Sequence, residues 1–243
     1  MTAESNRSKG ADLTSPARQL SLDLPVEPRF GREDFLVSPS NRMAFEMIER
    51  WPGWPDRVLL LIGPAGAGKS HLASIWAARS GARVVAARDL AGADIEAIAA
   101  ASAVLIEDAD MAPGVETAFF HLLNLARAAG NWMLVTARDF PDRWGLGTAD
   151  LLSRLRLAPT VEIGAPDDAL VRAVLVKLFA DRQLTVDSGL VEFLANRIER
   201  SFDAARAIVS ALDAEALARG RAISRPLAAE LLRRAGDAEE NSQ

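Results

Sequence analysis

The stretch Val58-Leu59-Leu60-Leu61-Ile62-Gly63-Pro64-Ala65-Gly66-Ala67-Gly68-Lys69-Ser70 joins an apolar run to a glycine-rich turn. An unbroken apolar run of this kind predicts a short strand buried on both faces. Beyond the turn, Leu72, Ile75 and Trp76 recur at helical spacing. Between strand and helix, Gly63 to Ser70 match the phosphate-loop pattern G-x-x-x-x-G-K-[ST] in full, in the context that gives the pattern its meaning. Glycines allow backbone N–H groups to curl around phosphates, and the following helix adds the positive end of its dipole. Lys69 is then expected to reach the β and γ phosphates, and Ser70 to offer its hydroxyl to Mg²⁺.

Outward from this point, further apolar runs at 84–85, 104–106, 133–135 and 161–163 alternate with helical stretches at 94–101 and 115–129. Ser40 or Asn41 is placed to cap a preceding helix through Met43, Ala44, Met47 and Ile48, which Trp51-Pro52-Gly53-Trp54-Pro55 stops. Such alternation predicts an α/β fold, a parallel sheet sandwiched by helices. After Pro166 the β signal ends, and 167–182, 187–200, 203–219 and 225–235 have the spacing of four amphipathic helices, a small all-α lid. The expected organisation is an N-terminal tail (1–29), an α/β nucleotide-binding domain (30–164) and a helical lid domain (165–243). The first 18 residues carry one large apolar side chain, Leu13, and are expected to be disordered.

Composition narrows the function classes. Cysteine is absent and there are two histidines, which excludes disulfides and thiolate metal sites and leaves little material for zinc. The net charge of −5 lacks the basic footprint of an autonomous duplex-DNA binder. No apolar run approaches the roughly 20 residues of a membrane span, and residues 1–24 lack a signal-peptide core, so a cytoplasmic protein with no membrane partner is expected.

Phosphate-loop chemistry needs a second acidic element at a neighbouring strand end, to hold magnesium and orient a water. Val104-Leu105-Ile106-Glu107-Asp108 supplies it. The usual order places Asp first, so Glu107 there is a departure, its longer arm shifting the carboxylate and weakening hydrolysis. Which of Glu107 and Asp108 holds Mg²⁺ stays open. Thr136, ending a third strand, is placed to face the γ-phosphate or the water, or simply ends the strand. Arg154, in Leu151-Leu152-Ser153-Arg154-Leu155, is either an ordinary surface arginine or one presented to the nucleotide of an adjoining subunit, where a guanidinium stabilises the transferring phosphoryl group.

Three segments carry a resemblance: Asp34-Phe35-Leu36-Val37-Ser38-Pro39-Ser40-Asn41-Arg42, Gly68-Lys69-Ser70-His71-Leu72 and Phe119-Phe120-His121-Leu122-Leu123-Asn124, in that order, with Ser153-Arg154-Leu155 behind them. Together they resemble the DnaA/Hda family of AAA+ P-loop NTPases over 30–235. The resemblance implies ADP or ATP as ligand, Phe35, Asn41 and His71 beside the nucleotide, and Arg154 as an arginine finger. The family's sensor arginine aligns with Asp203, a departure that Arg206, one turn on, is placed to offset.

After the lid helices no residues remain for the family's helix-turn-helix domain, so DNA contact is expected only indirectly. Gln19-Leu20-Ser21-Leu22-Asp23-Leu24 resembles the peptide that anchors proteins to the DNA polymerase III sliding clamp (the beta subunit), with Gln19, Leu20, Leu22 and Leu24 as its contacts. An extended peptide can set alternate leucines into an apolar groove while the Gln amide specifies register. Taken with the DnaA-like body, this resembles the family's regulatory branch. That implies an ADP-loaded, clamp-bound protein that stimulates hydrolysis of the ATP held by DnaA, a negative regulator of replication initiation with DnaA and the clamp as partners. A DnaA- or DnaC-like ATPase working as a homo-oligomer and a non-catalytic clamp adaptor are the alternatives.

Overall fold

A computed structural model describes residues 31–111 and 114–240. Five parallel strands, β1 (Val58–Ile62), β2 (Arg83–Ala86), β3 (Ala103–Glu107), β4 (Trp132–Ala137) and β5 (Thr160–Glu162), form one sheet in the order β2-β3-β4-β1-β5. All five side chains of β1 are buried, as a strand covered on both faces requires. The register pairs Leu61 with Thr136 and Ile106 with Val135, so Glu107, Thr136 and the end of β1 reach the carboxyl edge at one level.

Alternation along β1 divides the core. Val58, Leu60 and Ile62 face a cluster built with α3 (Ile95–Ala99), α4 (Glu116–Ala129) and α5 (Ala149–Leu157). Leu59 and Leu61 face α1 (Arg42–Glu49) and α2 (Lys69–Ser80). Each fully buried leucine or isoleucine contributes about 1.5–3 kcal/mol of transfer free energy, so the strand that carries the phosphate loop is among the most firmly anchored elements. The loop therefore sits on the α1/α2 face, and α5 lies on the opposite one.

The C-terminal helices α6 (Asp168–Asp181), α7 (Ser188–Ala195), α8 (Phe202–Arg219) and α9 (Arg225–Glu240) close a third core around Leu175, Phe179, Leu194 and Leu212. Asp167, Asp187 and Ser201 cap α6, α7 and α8 through side-chain oxygens that accept from Leu170 N (2.8 Å), Leu190 N (2.8 Å) and Ala204 N (3.0 Å). Each cap is worth about 1 kcal/mol.

Some boundaries differ from expectation. The helix expected over 187–200 ends at Ala195, because Asn196 closes it and 196–200 turn to deliver Ser201 to the phosphate loop. The last helix runs on to Glu240. Asn41 stands at the start of α1 without capping it through its side chain. Its Oδ1 instead accepts from Ser38 N (2.8 Å) and its Nδ2 donates to Leu36 O (2.9 Å), fixing the loop before the helix. No described helix is long and apolar enough to cross a membrane.

Candidate nucleotide site

Gly66 and Gly68 take positive φ values of 67° and 99°, the left-handed backbone that glycine adopts without steric cost. Gly68 is also the residue before α2, so the loop turns its amides into the first turn of that helix. Lys69 is 7% exposed, and its Nζ donates to Gly63 O (2.6 Å) and Pro64 O (2.9 Å), spanning the mouth of the loop. Burial lowers its pKa, opposed by the charges of Asp108 and Asp110 and, more weakly, Asp203, with Arg138 acting in the same direction as burial. The ammonium thus feels the charges of three carboxylates and of the Arg138 guanidinium, which itself pairs with Asp110.

Two of the expected acids part company at the end of β3. Asp108 has φ 52°, an uncommon left-handed conformation for a residue other than glycine. Its amide donates to Thr136 Oγ1 (3.1 Å), which anchors the turn and leaves the Asp108 side chain exposed. Glu107, on the other side of that turn, lies near enough to the Ser70 hydroxyl for that side chain to act on its pKa. Burial raises the Glu107 pKa, with the Ser70 hydroxyl pulling the other way and the Asp108 charge adding to the rise. A hydroxyl beside a carboxylate is a hard-oxygen pair of the sort Mg²⁺ takes together with phosphate oxygens and water, so the donor set fits that ion. Among the described residues no group of three or more His, Asp or Glu side chains forms a self-sufficient metal cluster.

His71, in the first turn of α2, makes a 2.9 Å hydrogen bond from Nε2 to Gly31 O and meets the Phe35 ring edge-on at 5.2 Å. Burial lowers its pKa, leaving a neutral imidazole. Phe35 stacks on Phe45 at 5.4 Å and is 7% exposed, while Asn41 is 2% exposed with its amide committed to the 36–38 backbone. Gly164 N donates to Ser40 O (2.8 Å), tying this segment to the end of β5. Phe35, Asn41 and His71 therefore converge beside the loop, with the first two serving as internal supports of the segment.

The spacing of residues gave no sign that Ser201 and Phe202 belong here. Phe202 N donates to Gly66 O (2.8 Å), and a Cβ on Gly68 would stand 2.9 Å from the Phe202 ring. A Cβ on Gly66 would meet Ser201 Cβ at 2.5 Å. The start of α8 is thus seated on the phosphate loop, and only glycines leave it room. An ion pair from Lys177 on α6 to Asp34 (2.8 Å) closes the same side, and Asp181 shares that ammonium.

Arg154 is not part of this assembly. It lies exposed on α5, its guanidinium 5.2 Å from the Phe120 ring of α4, and makes no ion pair among the described residues, whereas Arg156 two positions on is paired with Asp142. The residues 19–24 lie outside the described residues.

No family model matches the sequence. The DnaA protein of Thermomicrobium roseum is 28% identical over 262 residues, an alignment that takes in 96% of this chain and 56% of that protein. The chain is homologous to DnaA at low identity. It spans about half the length of the curated relatives it matches. Domain III of the Thermotoga maritima replication initiation protein DnaA superposes with a TM-score of 0.75 over 86% of this chain and 98% of that one, at 19% identity. A DnaA bound to AMPPCP and single-stranded DNA gives 0.63 over 76% and 65%, also at 19%. The parallel sheet with its covering helices is the AAA+ P-loop NTPase fold.

Proposed function

We propose that this chain is a nucleotide-binding regulator of the Hda type, which holds ADP in its own phosphate loop and uses Arg154 in trans to stimulate hydrolysis of ATP bound to DnaA. The observation that carries this reading is the placement of Arg154. It stands on the sheet face opposite α2, backed by Phe120 and without an ion pair among the described residues. An arginine that presents its fork outward from a rigid helix is suited to bind a phosphoryl group on another molecule.

In this reading Lys69 exchanges its carbonyl partners for phosphate oxygens, Ser70 and Glu107 hold Mg²⁺, and Asp108 and Thr136 shape the water side of the site. The relatives named above are DnaA proteins, and AMPPCP is bound in two solved DnaA structures, which supports an adenine nucleotide as the ligand. Gln19, Leu20, Leu22 and Leu24 would tether the protein to the sliding clamp, which brings it to DNA indirectly.

A second reading draws on the Ser70–Glu107 contact, since an intact magnesium pair also suits an ATPase that runs its own cycle in a homo-oligomer. One assay separates the two. DnaA charged with labelled ATP is incubated with DNA-loaded clamp, with and without this protein, and ADP is counted. Acceleration that disappears with Arg154→Ala and with Gln19→Ala/Leu22→Ala/Leu24→Ala supports the trans-acting regulator. Hydrolysis by this protein alone, unaffected by DnaA or clamp, supports the self-contained ATPase and overturns the first reading.

A further inference from the structure

At the end of the strands away from the phosphate loop, the turn before β1 and the last turn of α4 enclose a cleft of about 470 Å³, with Pro52, Pro55, Asp56, Arg57, Arg127 and Trp132 on its walls. That volume lies within the range of about 300–1,000 Å³ usual for ligand sites. Pro52, Pro55 and Arg57 are exposed, so the rim of the cleft is open to solvent.

Two guanidiniums against one carboxylate leave one positive charge in excess there, on a chain whose net charge is −5. Neither guanidinium is satisfied. Arg57 lies over the Trp132 ring at 4.1 Å and makes no ion pair among the described residues. Arg127 reaches Asp56 only at 3.4 and 3.5 Å, longer than the roughly 2.7–2.9 Å of a good charge-assisted bond, and its Nε is buried without a partner. Asp56 is itself shared, since Val58 N donates to its Oδ1 at 2.9 Å.

An arginine stacked on an indole holds its planar fork ready for an oxyanion. The proline rings beside it offer apolar contact. A nucleic acid fits poorly, because Arg57 covers the face of Trp132 on which a base would stack, and two cations accompanied by a carboxylate do not track a phosphate backbone. A free small anion would stay solvated at so open a rim, whereas a peptide can pass through the cleft and continue on both sides. We infer that the cleft docks an acidic peptide segment of a partner protein, its carboxylate on Arg57 and Arg127 and a neighbouring apolar residue against Pro52 and Pro55.

The test is titration of the full chain into a dye-labelled synthetic peptide of alternating glutamate and proline with blocked termini, read by fluorescence anisotropy. Wild type should bind it, and bind the glutamine counterpart about ten-fold more weakly, the size of one charge-assisted contact. Arg57→Ala, at an exposed side chain, should weaken the glutamate peptide by about the same ten-fold, and Arg57→Glu should abolish its binding. Asp56→Asn keeps an acceptor for Val58 N while releasing Arg127, and should strengthen binding by about three-fold. Far-UV circular dichroism should be the same for all of these proteins. Absence of binding by wild type at millimolar peptide, equal binding of the glutamine peptide, or indifference to both the Arg57 and the Asp56 variants overturns the inference. Displacement of the peptide by a single-stranded oligonucleotide that Arg57→Ala no longer holds would make the cleft a nucleic-acid contact and overturn it too. Tighter peptide binding by the full chain carrying Asp23→Asn and Glu27→Gln would make the chain's own segment the occupant and exclude a partner's.

Discussion

At the amino edge of the sheet Trp51, Trp54, Trp76 and Trp132 pack ring against ring, at centroid distances of 5.3 to 6.4 Å, with the Arg57 guanidinium 4.1 Å above Trp132. At the carboxyl edge β1 runs into a loop with two glycines at positive φ and a buried lysine, and β3 ends in carboxylates. The first edge buries large apolar area, and the only polar groups it leaves without a hydrogen-bond partner among its tryptophans are the indole N–H groups of Trp51 and Trp76. The second carries a desolvated ammonium and a left-handed Asp108, both of which cost stability. Stability and chemistry are thus segregated along the strands, so a change at one edge should leave the other intact.

The largest effect that would test this separation comes from the aromatic edge. Trp76→Ala, at a side chain with no exposure, should cost about 3–5 kcal/mol in urea denaturation. Below its lowered midpoint the variant should bind nucleotide as the wild type does; a matching loss of affinity would end the idea of independent edges. The converse is Lys69→Ala, which should weaken nucleotide binding by about 100-fold through loss of a charge-assisted contact. Its thermal midpoint should stay level or rise, since a desolvated charge is removed, and a large fall would contradict that account.

A smaller effect is expected at the Arg154 face. Glu116 accepts from Gly147 N (3.0 Å) and Thr148 N (2.7 Å), serving as a cap for α5 from outside the helix, while Phe120 one turn along α4 backs Arg154. These bonds hold the Glu116 carboxyl below its usual pKa. On the proposed regulator reading, Glu116→Ala should loosen α5, lowering stimulation of DnaA hydrolysis partway toward the Arg154→Ala level while nucleotide affinity stays unchanged. Equal stimulation by the variant and the wild type would show that α5 needs no such support.

The smallest effect is one of pH. Glu107 has a folded-state pKa raised by burial, so the folded protein binds the proton more tightly than the unfolded chain. Stability from this group is present below the ordinary carboxylate pKa and falls as pH rises through the raised value. Glu107→Gln should therefore raise the thermal midpoint slightly near neutrality, and the advantage should vanish toward pH 4, as scanning calorimetry across that range would show. An advantage that grows on acidification would reverse the assignment.

Much of this was legible in residue order. The run Val58 to Ile62 and the loop after it carry their own geometry, because an apolar pentad and a glycine-spaced lysine act over a few consecutive residues. The caps Asp167 and Asp187 are equally local. The helix that bears Arg154 went unassigned, since only Leu151 and Leu155 of its nine residues are buried and the pattern is short.

What the sequence by itself determined was the parallel α/β body, the phosphate loop and the acids at the end of β3, all consequences of short-range periodicity and spacing. Tertiary structure alone decided which acid meets Ser70, because a left-handed turn at Asp108 sends two adjacent carboxylates to different places. It also decided that Ser201, Phe202 and Asp203 stand on Gly66 and Gly68. Contacts between residues more than a hundred positions apart depend on how two cores pack, and no local pattern encodes them.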